Sequence, residues 1–319
     1  MGELVISQEL KLVKLLSQSV NQTLAFDELK TLLKIDTSGL DNLLSKVSAL
    51  GVGVALKNQQ ISLLDTIEFL DQAYIYQNVK GRGRIEVVDC IDSTNSELLR
   101  RASNLACGDC LIAEYQSAAR GRRERKWQGA LGRQVTLSLC WEFVSLESFK
   151  LLSIGVGIEI AKSLEKYGFV DIKVKWPNDL FYKEGKLGGI LIETLPKQKG
   201  VSAIIGVGIN LKGISLVNEE RSCSCLLQSG NLITRNELAV LVINALHVAC
   251  KKISSYQGSE YIQQLSKRDY LFGKKVKFVD GLDTYEGVVV GINHLGELLL
   301  KSAAGHIFNL KAGEFLLVS

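Results

Sequence analysis

Residues 172–210 read IKVKWPNDLFYKEGKLGGILIETLPKQKGVSAIIGVGIN, and this stretch decides the fold class. It contains three strand-like runs, at Ile172–Lys175, Gly189–Glu193 and Val201–Ile209, each bounded by glycine, proline, asparagine or charged residues. Short apolar runs with such boundaries are typical of the strands of a buried sheet. The stretch therefore predicts a sheet whose strands lead directly into polar or glycine-rich turns.

The flanking residues extend this sheet and add helices. Further strand-like runs lie at Ile85–Val88, Cys110–Glu114 and Val135–Phe143, and helical periodicity lies at Ser96–Asn104, Phe149–Tyr167 and Asn236–Ile253. Strands mixed with helices predict one α/β domain, which we place at residues 65–270. Open α/β sheets bind ligands at the carboxyl ends of their strands, so we expect the turn from Lys175 to Asp179 to lie at such a site.

The N-terminal residues show a different pattern. Three helical blocks lie within residues 7–50; Thr37 or Ser38 can cap the third, and Gly51 and Gly53 can end it. Because an extended hairpin, Val52–Leu64, follows, residues 1–64 are interpreted as a winged helix-turn-helix. Operator DNA is the obvious partner, but the segment has zero net charge and its third helix carries one basic residue, Lys46. Phosphate neutralisation supplies much of DNA affinity, so the charge argues against this partner.

The C-terminal residues 271–319 consist of short strand-like runs separated by glycines. These runs are Lys275–Val279, Tyr285–Ile292, Leu298–Lys301, His306–Leu310 and Phe315–Val318, and the glycines are Gly281, Gly296, Gly305 and Gly313. The pattern predicts a small SH3-like β-barrel. The fold class is therefore an α/β (α+β) multidomain protein with three parts.

Positive charge is concentrated in one loop. Arg120–Trp127 reads RGRRERKW, with five cations and one anion, and its excess of four positive charges equals the net charge of the whole protein. A cationic loop with Gly121, which lets the backbone approach a ligand closely, suits an anion that carries several phosphate or carboxylate oxygens. On charge alone, a solvated basic loop or a nucleic-acid patch is an equal alternative.

Composition excludes several classes of protein. The longest apolar runs fall well short of the roughly 20 residues that cross a bilayer, and no secretory signal is recognisable, so we expect a cytoplasmic protein. Seven scattered cysteines indicate reduced thiols rather than a disulfide scaffold. Cys107 and Cys110 have metal-ligand spacing, but all three histidines lie beyond residue 240, and we predict no metal site formed by the protein alone.

Three short motifs can carry chemistry. Asp92–Glu97 (DSTNSE) contains a capping box from Thr94 to Glu97, which is either only a helix cap or a helix start whose N–H groups bind a ligand. Lys186 precedes two glycines and can bind a carboxylate or phosphate. Residues 206–210 (GVGIN) end a strand with small residues and an amide. The chain has neither a P-loop nor a GxGxxG dinucleotide motif.

Taken in order, DSTN, ARGRRERKW, KWPNDL, KLGGILIE and GVGIN resemble the biotin protein ligases. The N-terminal helices and the C-terminal strands further resemble the bifunctional bacterial type, in which the ligase is also the biotin operon repressor. The resemblance implies that biotin and ATP, with Mg²⁺, form biotinyl-5′-AMP and pyrophosphate. Biotin then passes to a lysine of the biotin carboxyl carrier protein of acetyl-CoA carboxylase.

The resemblance also implies a role for individual residues. It assigns catalysis to Lys186, Arg122 and Asp179. Biotin-side contacts are assigned to Ser93, Thr94, Asn95, Gln116, Arg120, Gly121, Arg122, Lys186, Gly188 and Gly189. Nucleotide-side contacts are assigned to Arg125, Trp127, Asn178 and Asn210.

This sequence departs from the family pattern, and alternatives stay open. The family loop usually reads GRGRRGR, whereas Ala119 and Glu124 replace its outer glycines here. A lipoate-type ligase is the nearest rival enzyme, and a DNA-binding regulator that uses biotinyl-AMP as corepressor is a rival of another class. The sequence does not decide whether a ligand-linked homodimer forms.

Overall fold

A computed structural model describes residues 8–145, 151–197, 199–213, 223–280, 283–311 and 314–317. Parts of several sequence predictions lie outside these residues: Phe149 and Lys150 of the predicted helix Phe149–Tyr167, the glycines Gly281 and Gly313, and Val318 of the last predicted strand. The described chain has a mixed α/β fold built around one large mixed sheet.

Three helices and a small antiparallel sheet form the N-terminal part. The helices are α1 (Gln8–Gln18), α2 (Phe26–Leu33) and α3 (Thr37–Ala49), and the strands are β1 (Thr23–Ala25), β2 (Val54–Lys57) and β3 (Gln60–Leu63), in the order β1–β3–β2. Their apolar faces enclose one core, in which Leu12, Leu29 and Leu40 have no exposed surface. The predicted helices and hairpin thus lie where the apolar periodicity places them.

Helix α3 has a different N-cap from the predicted one. The Oδ1 of Asp36 accepts a hydrogen bond from the N–H of Gly39 at 2.7 Å, whereas Thr37 and Ser38 lie inside the first turn. The predicted cap was wrong because Asp36 has the extended backbone of a cap residue and supplies the required oxygen. At the other end, Gly51 adopts a φ of 78°, which ends the helix as predicted.

The central part contains a seven-stranded sheet in the order β4–β5–β6–β10–β9–β8–β7. Its strands are β4 (Ile85–Ile91), β5 (Cys110–Gln116), β6 (Gln134–Phe143), β7 (Ile172–Lys175), β8 (Asp179–Tyr182), β9 (Gly185–Pro196) and β10 (Val201–Asn210). Its helices are α4 (Gln72–Asn78), α5 (Thr94–Arg100), α6 (Leu152–Glu165), α7 (Arg235–Ser254) and α8 (Glu260–Ser266). Strand β8 and helices α4 and α8 had not been predicted.

Most of this sheet is antiparallel, since only β4 and β5 pair in parallel. Antiparallel neighbours end at opposite edges of a sheet. The turn from Lys175 to Asp179, at the carboxyl end of β7, nevertheless lines the cleft described below. Helices α6 and α7 contribute their apolar residues to the core on one face of the sheet. Helix α5 packs on the other face through a smaller cluster that includes Leu98 and Ile204, and this face holds the cleft described below.

A five-stranded antiparallel sheet forms the C-terminal part. Its strands are β11 (Lys275–Asp280), β12 (Asp283–Ile292), β13 (Leu298–Lys301), β14 (Ile307–Leu310) and β15 (Glu314–Leu317), in the order β14–β13–β12–β11–β15. All five predicted runs form strands, and closure into a barrel stays a prediction. The indole of Trp176, 2% exposed, donates from Nε1 to the carbonyl of Gly296 at 2.8 Å. The tryptophan thus packs beneath its turn, as predicted, and ties that turn to this sheet.

The N-terminal core also includes a residue of the central part. Leu131 is 1% exposed within that core, and its N–H donates to the carbonyl of Leu50 at 3.0 Å. Nearby, the Nζ of Lys14 lies 2.6 Å from the Oδ1 of Asp89. The N-terminal helices are thus packed against the central part.

The seven cysteines are free thiols, of which Cys107 and Cys223 are exposed, whereas their close partners Cys110 and Cys225 are buried. Within the described residues, no group of three or more His, Cys, Asp or Glu side chains is arranged to hold a metal ion. No helix in the same part of the chain has the length and apolarity that crossing a bilayer requires.

Candidate active site

A cleft of about 1030 Å³ lies across β6, β10 and β9, on the sheet face that carries α5. Of the fifteen residues that the sequence assigned to a site, fourteen line it: Ser93, Thr94, Asn95, Gln116, Arg120, Gly121, Arg122, Arg125, Trp127, Asn178, Asp179, Lys186, Gly189 and Asn210. The fifteenth, Gly188, lies outside the lining. A side chain at Gly188 would overlap the carbonyl oxygen of Gly208, so this glycine allows β9 and β10 to pair closely.

The fourteen lining residues are far apart in the sequence. They come from four separate segments: the start of α5, the end of β5 with the basic loop after it, the hairpin that joins β7 to β8 and leads into β9, and the end of β10. The strand pairing of the sheet brings these distant segments together.

Strand β10 provides the floor of the cleft through alternate residues. Gly206, Gly208 and Asn210 all line the cleft, since every second residue of a strand faces the same side. A side chain at Gly206 would overlap the amide of Asn95, and a Cβ at Gly208 would lie 2.8 Å from the ring of Trp127. The two glycines therefore seat an asparagine and a tryptophan on the strand.

The first turn of α5 faces the cleft. Ser93 is the N-cap, and its Oγ accepts from the N–H of Ser96 at 3.4 Å. The predicted capping box from Thr94 to Glu97 was wrong, because the helix already begins at Thr94, and Glu97 instead pairs with Arg100, the last residue of the helix, and with Arg101, its C-cap.

Thr94 and Gln116 form a directional pair. The oxygen Oε1 of Gln116 accepts from the backbone N–H of Thr94 at 2.7 Å and from its hydroxyl at 3.2 Å. Both bonds use the amide oxygen, so the NH₂ group of Gln116 is the part available to a ligand. The hydroxyl of Ser138 lies 2.7 Å from the Thr94 hydroxyl and extends this pair toward Asn95.

Asn95 links the helix to the basic loop through Glu193. Its Nδ2 donates to Oε2 of Glu193 at 2.8 Å and to the carbonyl of Leu191 at 3.3 Å, and its Oδ1 accepts from Ser138 at 2.5 Å. The other oxygen of Glu193 accepts from Arg120 at 2.9 Å. A continuous polar network thus runs from Gln116 to Arg120 along one wall of the cleft.

The basic loop closes on itself as a short hairpin. The N–H of Gly121 donates to the carbonyl of Arg125 at 2.7 Å, and the N–H of Trp127 donates to that of Ala119 at 2.9 Å. Arg123 and Glu124 have φ values of 56° and 55°, in the left-handed region that favours glycine. A Cβ at Gly121 would make only ordinary contact, so the loop's own geometry does not require glycine there.

The cations of the cleft are held by protein acceptors. Nζ of Lys186 lies 2.9 Å from Oδ1 of Asp179 and 5.6 Å from the ring centroid of Trp127. Arg122 donates to the amide oxygen of Asn178 at 3.2 Å. Burial lowers the pKa of Arg122, the charge of Arg123 lowers it further and Asp179 opposes the change. These directions describe a partly buried guanidinium that has another cation, Arg123, and a carboxylate, Asp179, nearby.

The two predicted asparagines hold the backbone of the cleft. Asn178 donates through Nδ2 to the carbonyl of Ile190 at 2.8 Å, which fixes the β7–β8 turn against β9. Asn210 is 6% exposed, accepts from Gln134 at 2.9 Å and donates to the carbonyl of Ser224 at 3.1 Å. Contact of either asparagine with a nucleotide stays a prediction.

Sequence reasoning missed three polar residues that hydrogen-bond to site residues: Gln134, which lines the cleft, and Ser138 and Glu193, which lie behind it. Gln134 and Ser138 lie in a strand that had been interpreted as apolar, and Glu193 was quoted within a motif without a role. A signal was present for the first two, because residues 134–139 read QVTLSL and alternate polar with apolar side chains, as a half-buried strand does.

Comparison with known proteins first defines the class. Residues 87–210 match the Biotin/lipoate A/B protein ligase family. This match spans the sheet strands from β4 to β10, which carry the polar network described above.

Individual relatives narrow the class. The bifunctional ligase/repressor BirA of Escherichia coli is 36% identical over 246 residues, which cover 75% of this chain and 76% of that protein. The biotin–[acetyl-CoA-carboxylase] ligase of Paracoccus denitrificans is 28% identical over 67% of this chain and 92% of its own length. The structure of Aquifex aeolicus biotin protein ligase in complex with biotin and ATP has a TM-score of 0.63 at 27% identity, and covers 73% of this chain and 98% of that one. The chain therefore belongs to the biotin protein ligase family.

Proposed function

We propose that the protein forms biotinyl-5′-AMP from biotin and ATP and then transfers biotin to a lysine of the biotin carboxyl carrier protein of acetyl-CoA carboxylase. In the first step, a carboxylate oxygen of biotin attacks the α-phosphorus of ATP and pyrophosphate leaves. In the second, the acceptor amine attacks the acyl carbon, AMP leaves with the bonding electrons, and the amine loses a proton. The convergence of Arg120, Arg122 and Lys186 on one cleft carries this proposal.

The cationic side chains of the cleft would reduce the repulsion between the biotin carboxylate and ATP in the first step. Two anions must approach each other, and charge develops on the phosphoryl oxygens, so fixed guanidinium and ammonium groups stabilise the transition state. Lys186 is paired with Asp179, and the anionic intermediate would compete for its ammonium group. Asp179 released in this way would be placed to accept the proton of the acceptor lysine.

The biotin side is assigned to the wall formed by α5 and β5. Gln116 offers an NH₂ donor, and the Thr94 hydroxyl donates to the amide oxygen of Gln116 at 3.2 Å, so a lone pair of its oxygen is left for a ligand. A donor beside an acceptor fits the adjacent carbonyl and N–H of the biotin ureido ring. Ser93 and Asn95 complete this wall, and Gly121 and Gly189 leave room for the rest of the ligand.

The nucleotide side is assigned to the wall around Trp127. Its indole Nε1 is buried and has no hydrogen-bond partner within the described residues. Buried polar groups are nearly always paired, so a ligand atom is a fitting acceptor here. Arg125 lines the same end of the cleft, and Asn178 and Asn210 shape it.

The carboxylates of the cleft suit a Mg²⁺ that arrives with ATP. Asp179 and Glu184 are the acidic residues among the described residues that line it. Mg²⁺ is commonly bound through one or two carboxylates, substrate phosphates and water, so this sparse donor set fits the ion. When bound, Mg²⁺ would neutralise phosphate charge, and Asp179 and Glu184 would hold it.

We divide the chain into residues 1–64, 65–270 and 271–319, as a winged helix-turn-helix, the ligase domain and an SH3-like barrel. Helices α1–α3 with the β2–β3 hairpin support the first assignment, and the five antiparallel strands support the last. Repression of a biotin operon is a second candidate function, favoured by the names of the relatives. Charge argues against it, because Lys46 of α3 lies 3.8 Å from Glu9.

One assay separates the candidates. Pyrophosphate release is measured with ATP and either biotin or lipoate, and then with a carrier domain added. Release that depends on biotin supports the proposal; release that depends on lipoate identifies the rival ligase, and none with either acid contradicts both. A salt-dependent mobility shift of a biotin operator fragment would support the repressor, and sedimentation with and without biotin and ATP would reveal a ligand-linked dimer.

A further inference from the structure

We infer that Glu193 is a positioning residue of this site, whose carboxylate fixes the Asn95 amide on the biotin wall and the Arg120 guanidinium at the start of the basic loop. The inference rests on the proposed function, since it concerns how the biotin end of the cleft is held ready. Glu193 itself is not among the residues that line the cleft.

One carboxylate serves two segments that are far apart in sequence. Oε2 of Glu193 accepts from Asn95 at 2.8 Å, and Oε1 accepts from Arg120 at 2.9 Å. The side chains of Arg120 and Glu193 are 27% and 24% exposed, so water screens this pair less than a surface pair. Arg120 also pairs with Glu124 at 3.2 Å, but Glu124 is 80% exposed and gives a weaker hold.

The charge of Glu193 sets the direction of the polar network. A carboxylate can only accept, so, together with the longer bond to the carbonyl of Leu191, it orients the Asn95 amide with its NH₂ toward Glu193 and its oxygen toward Ser138. The amide oxygen then accepts the Ser138 proton at 2.5 Å, in competition with the Thr94 oxygen, which lies 2.7 Å from the Ser138 hydroxyl. A lone pair of the Thr94 oxygen consequently faces a ligand as an acceptor.

A neutral glutamine at position 193 would weaken this direction, because the Asn95 NH₂ would keep only the 3.3 Å bond to the carbonyl of Leu191 as a fixed acceptor. Its amide can donate as well as accept, so Asn95 could turn over and present its NH₂ to Ser138. The proton order of Ser138 and Thr94 would then be less firmly fixed, and the exposed Glu124 would be the remaining carboxylate paired with Arg120. A ligand would have to order these groups itself, which weakens binding.

The test compares Glu193→Gln with Glu165→Gln. Glu165, the last residue of α6, is a matched control, because it forms an ion pair of similar exposure with Arg268. Neither residue lines the cleft. We expect Glu193→Gln to raise the KM for biotin about tenfold in pyrophosphate exchange, the size of one charge-assisted hydrogen bond. The KM for ATP and the melting temperature should match those of the control.

Two outcomes would overturn this inference while leaving the proposed function intact. In the first, the wild-type protein is active and both variants have the same KM for biotin. In the second, Glu193→Gln raises the KM values for biotin and ATP equally and lowers the melting temperature, which would indicate a general structural role. Absence of biotin-dependent exchange in the wild type would instead overturn the proposed function and this inference with it.

In an Arg120→Gln background, Glu193→Gln should raise the KM for biotin by a smaller factor than it does in the wild-type background. If the effects of the two substitutions on the KM for biotin were fully additive, the inferred contact between Glu193 and Arg120 would have no role in biotin binding.

Discussion

The indole of Trp127 lies against the backbone of Gly208, where a Cβ would come within 2.8 Å of two ring carbons. Directly across the strand pair, Gly189 is less crowded, since a Cβ there would lie 3.5 Å from the same ring. The strand therefore carries glycine at 208 because an aromatic side chain occupies the space that a side chain would need.

Gly208→Ala should displace Trp127 and weaken nucleotide binding. We expect the KM for ATP to rise roughly tenfold, equivalent to about 1.4 kcal/mol, while biotin binding changes little. Pyrophosphate-exchange kinetics at varied ATP measure the effect. Gly189→Ala is the matched substitution and should change the same KM by a much smaller factor; equal effects of the two alanines would refute this account.

Arg122→Gly should leave a folded protein that loses its reactive intermediate. Arg122 is held by Asn178 and partly buried at the wall of the cleft, so its removal opens the cover of the acyl-adenylate to water. We expect biotinyl-AMP release to accelerate by tenfold or more and lysines of a bystander protein to become labelled. Arg123→Gly, at the exposed neighbour without an assigned role, should retain the intermediate. Unchanged retention in Arg122→Gly would contradict the prediction.

Glu124 occupies a position where glycine is the natural residue. With a φ of 55°, it has a backbone conformation that costs an L-residue about 1 kcal/mol or more. Glu124→Gly and Glu124→Ala both remove the ion pair with Arg120, but only alanine keeps that cost. The free energy of unfolding of Glu124→Gly, measured by chemical denaturation, should therefore exceed that of Glu124→Ala by about 1 kcal/mol. A more stable alanine variant would show that this backbone geometry is not the one in solution.

Asp269 should make stability depend on pH. Burial raises the pKa of Asp269 to about 6, with backbone N–H groups and Lys274 opposing the shift. An ordinary aspartate loses its proton near pH ~3.9, so the folded protein binds more protons between these values. The free energy of unfolding contributed by this group therefore falls as pH rises from about 4 to about 6.

Asp269→Asn removes this titration and keeps an oxygen for the N–H of Leu271, which lies 2.8 Å from Oδ1. We expect the variant to gain melting temperature over the wild type by a few degrees at pH 7.5, and by less at pH 5. Thermal denaturation at both pH values checks this, and a gain that does not change with pH would show that Asp269 titrates normally.

Apolar patterning predicted the strands of the sheet because their residues are buried. Ile172–Lys175 has the predicted bounds, and Val201–Ile209 is short by one residue. Strand β8 was missed because its four residues follow a proline turn directly, and α4 and α8 because seven residues carry too little periodicity. The direction of the strands is absent from such patterns, so the mixed sheet and the cleft on its face could not be derived.

The candidate site was predicted as residue types, and its connections were not. The positive charge of the basic loop and of Lys186 predicted an anion-binding site, and these residues line the cleft. The bonds from Asn95 to Ser138 and to Glu193 join residues 43 and 98 positions apart in the chain. Only the pairing of β6, β10 and β9 brings such residues together, so local sequence carries no sign of the network.

Leu131 stands four residues beyond Trp127, with its side chain in the core of α1–α3. The N-terminal helices therefore hold in place the segment that follows the basic loop. A shortened chain that starts after these helices would expose the apolar side chain of Leu131 close to the basic loop. It would need a polar residue at position 131 to resist aggregation.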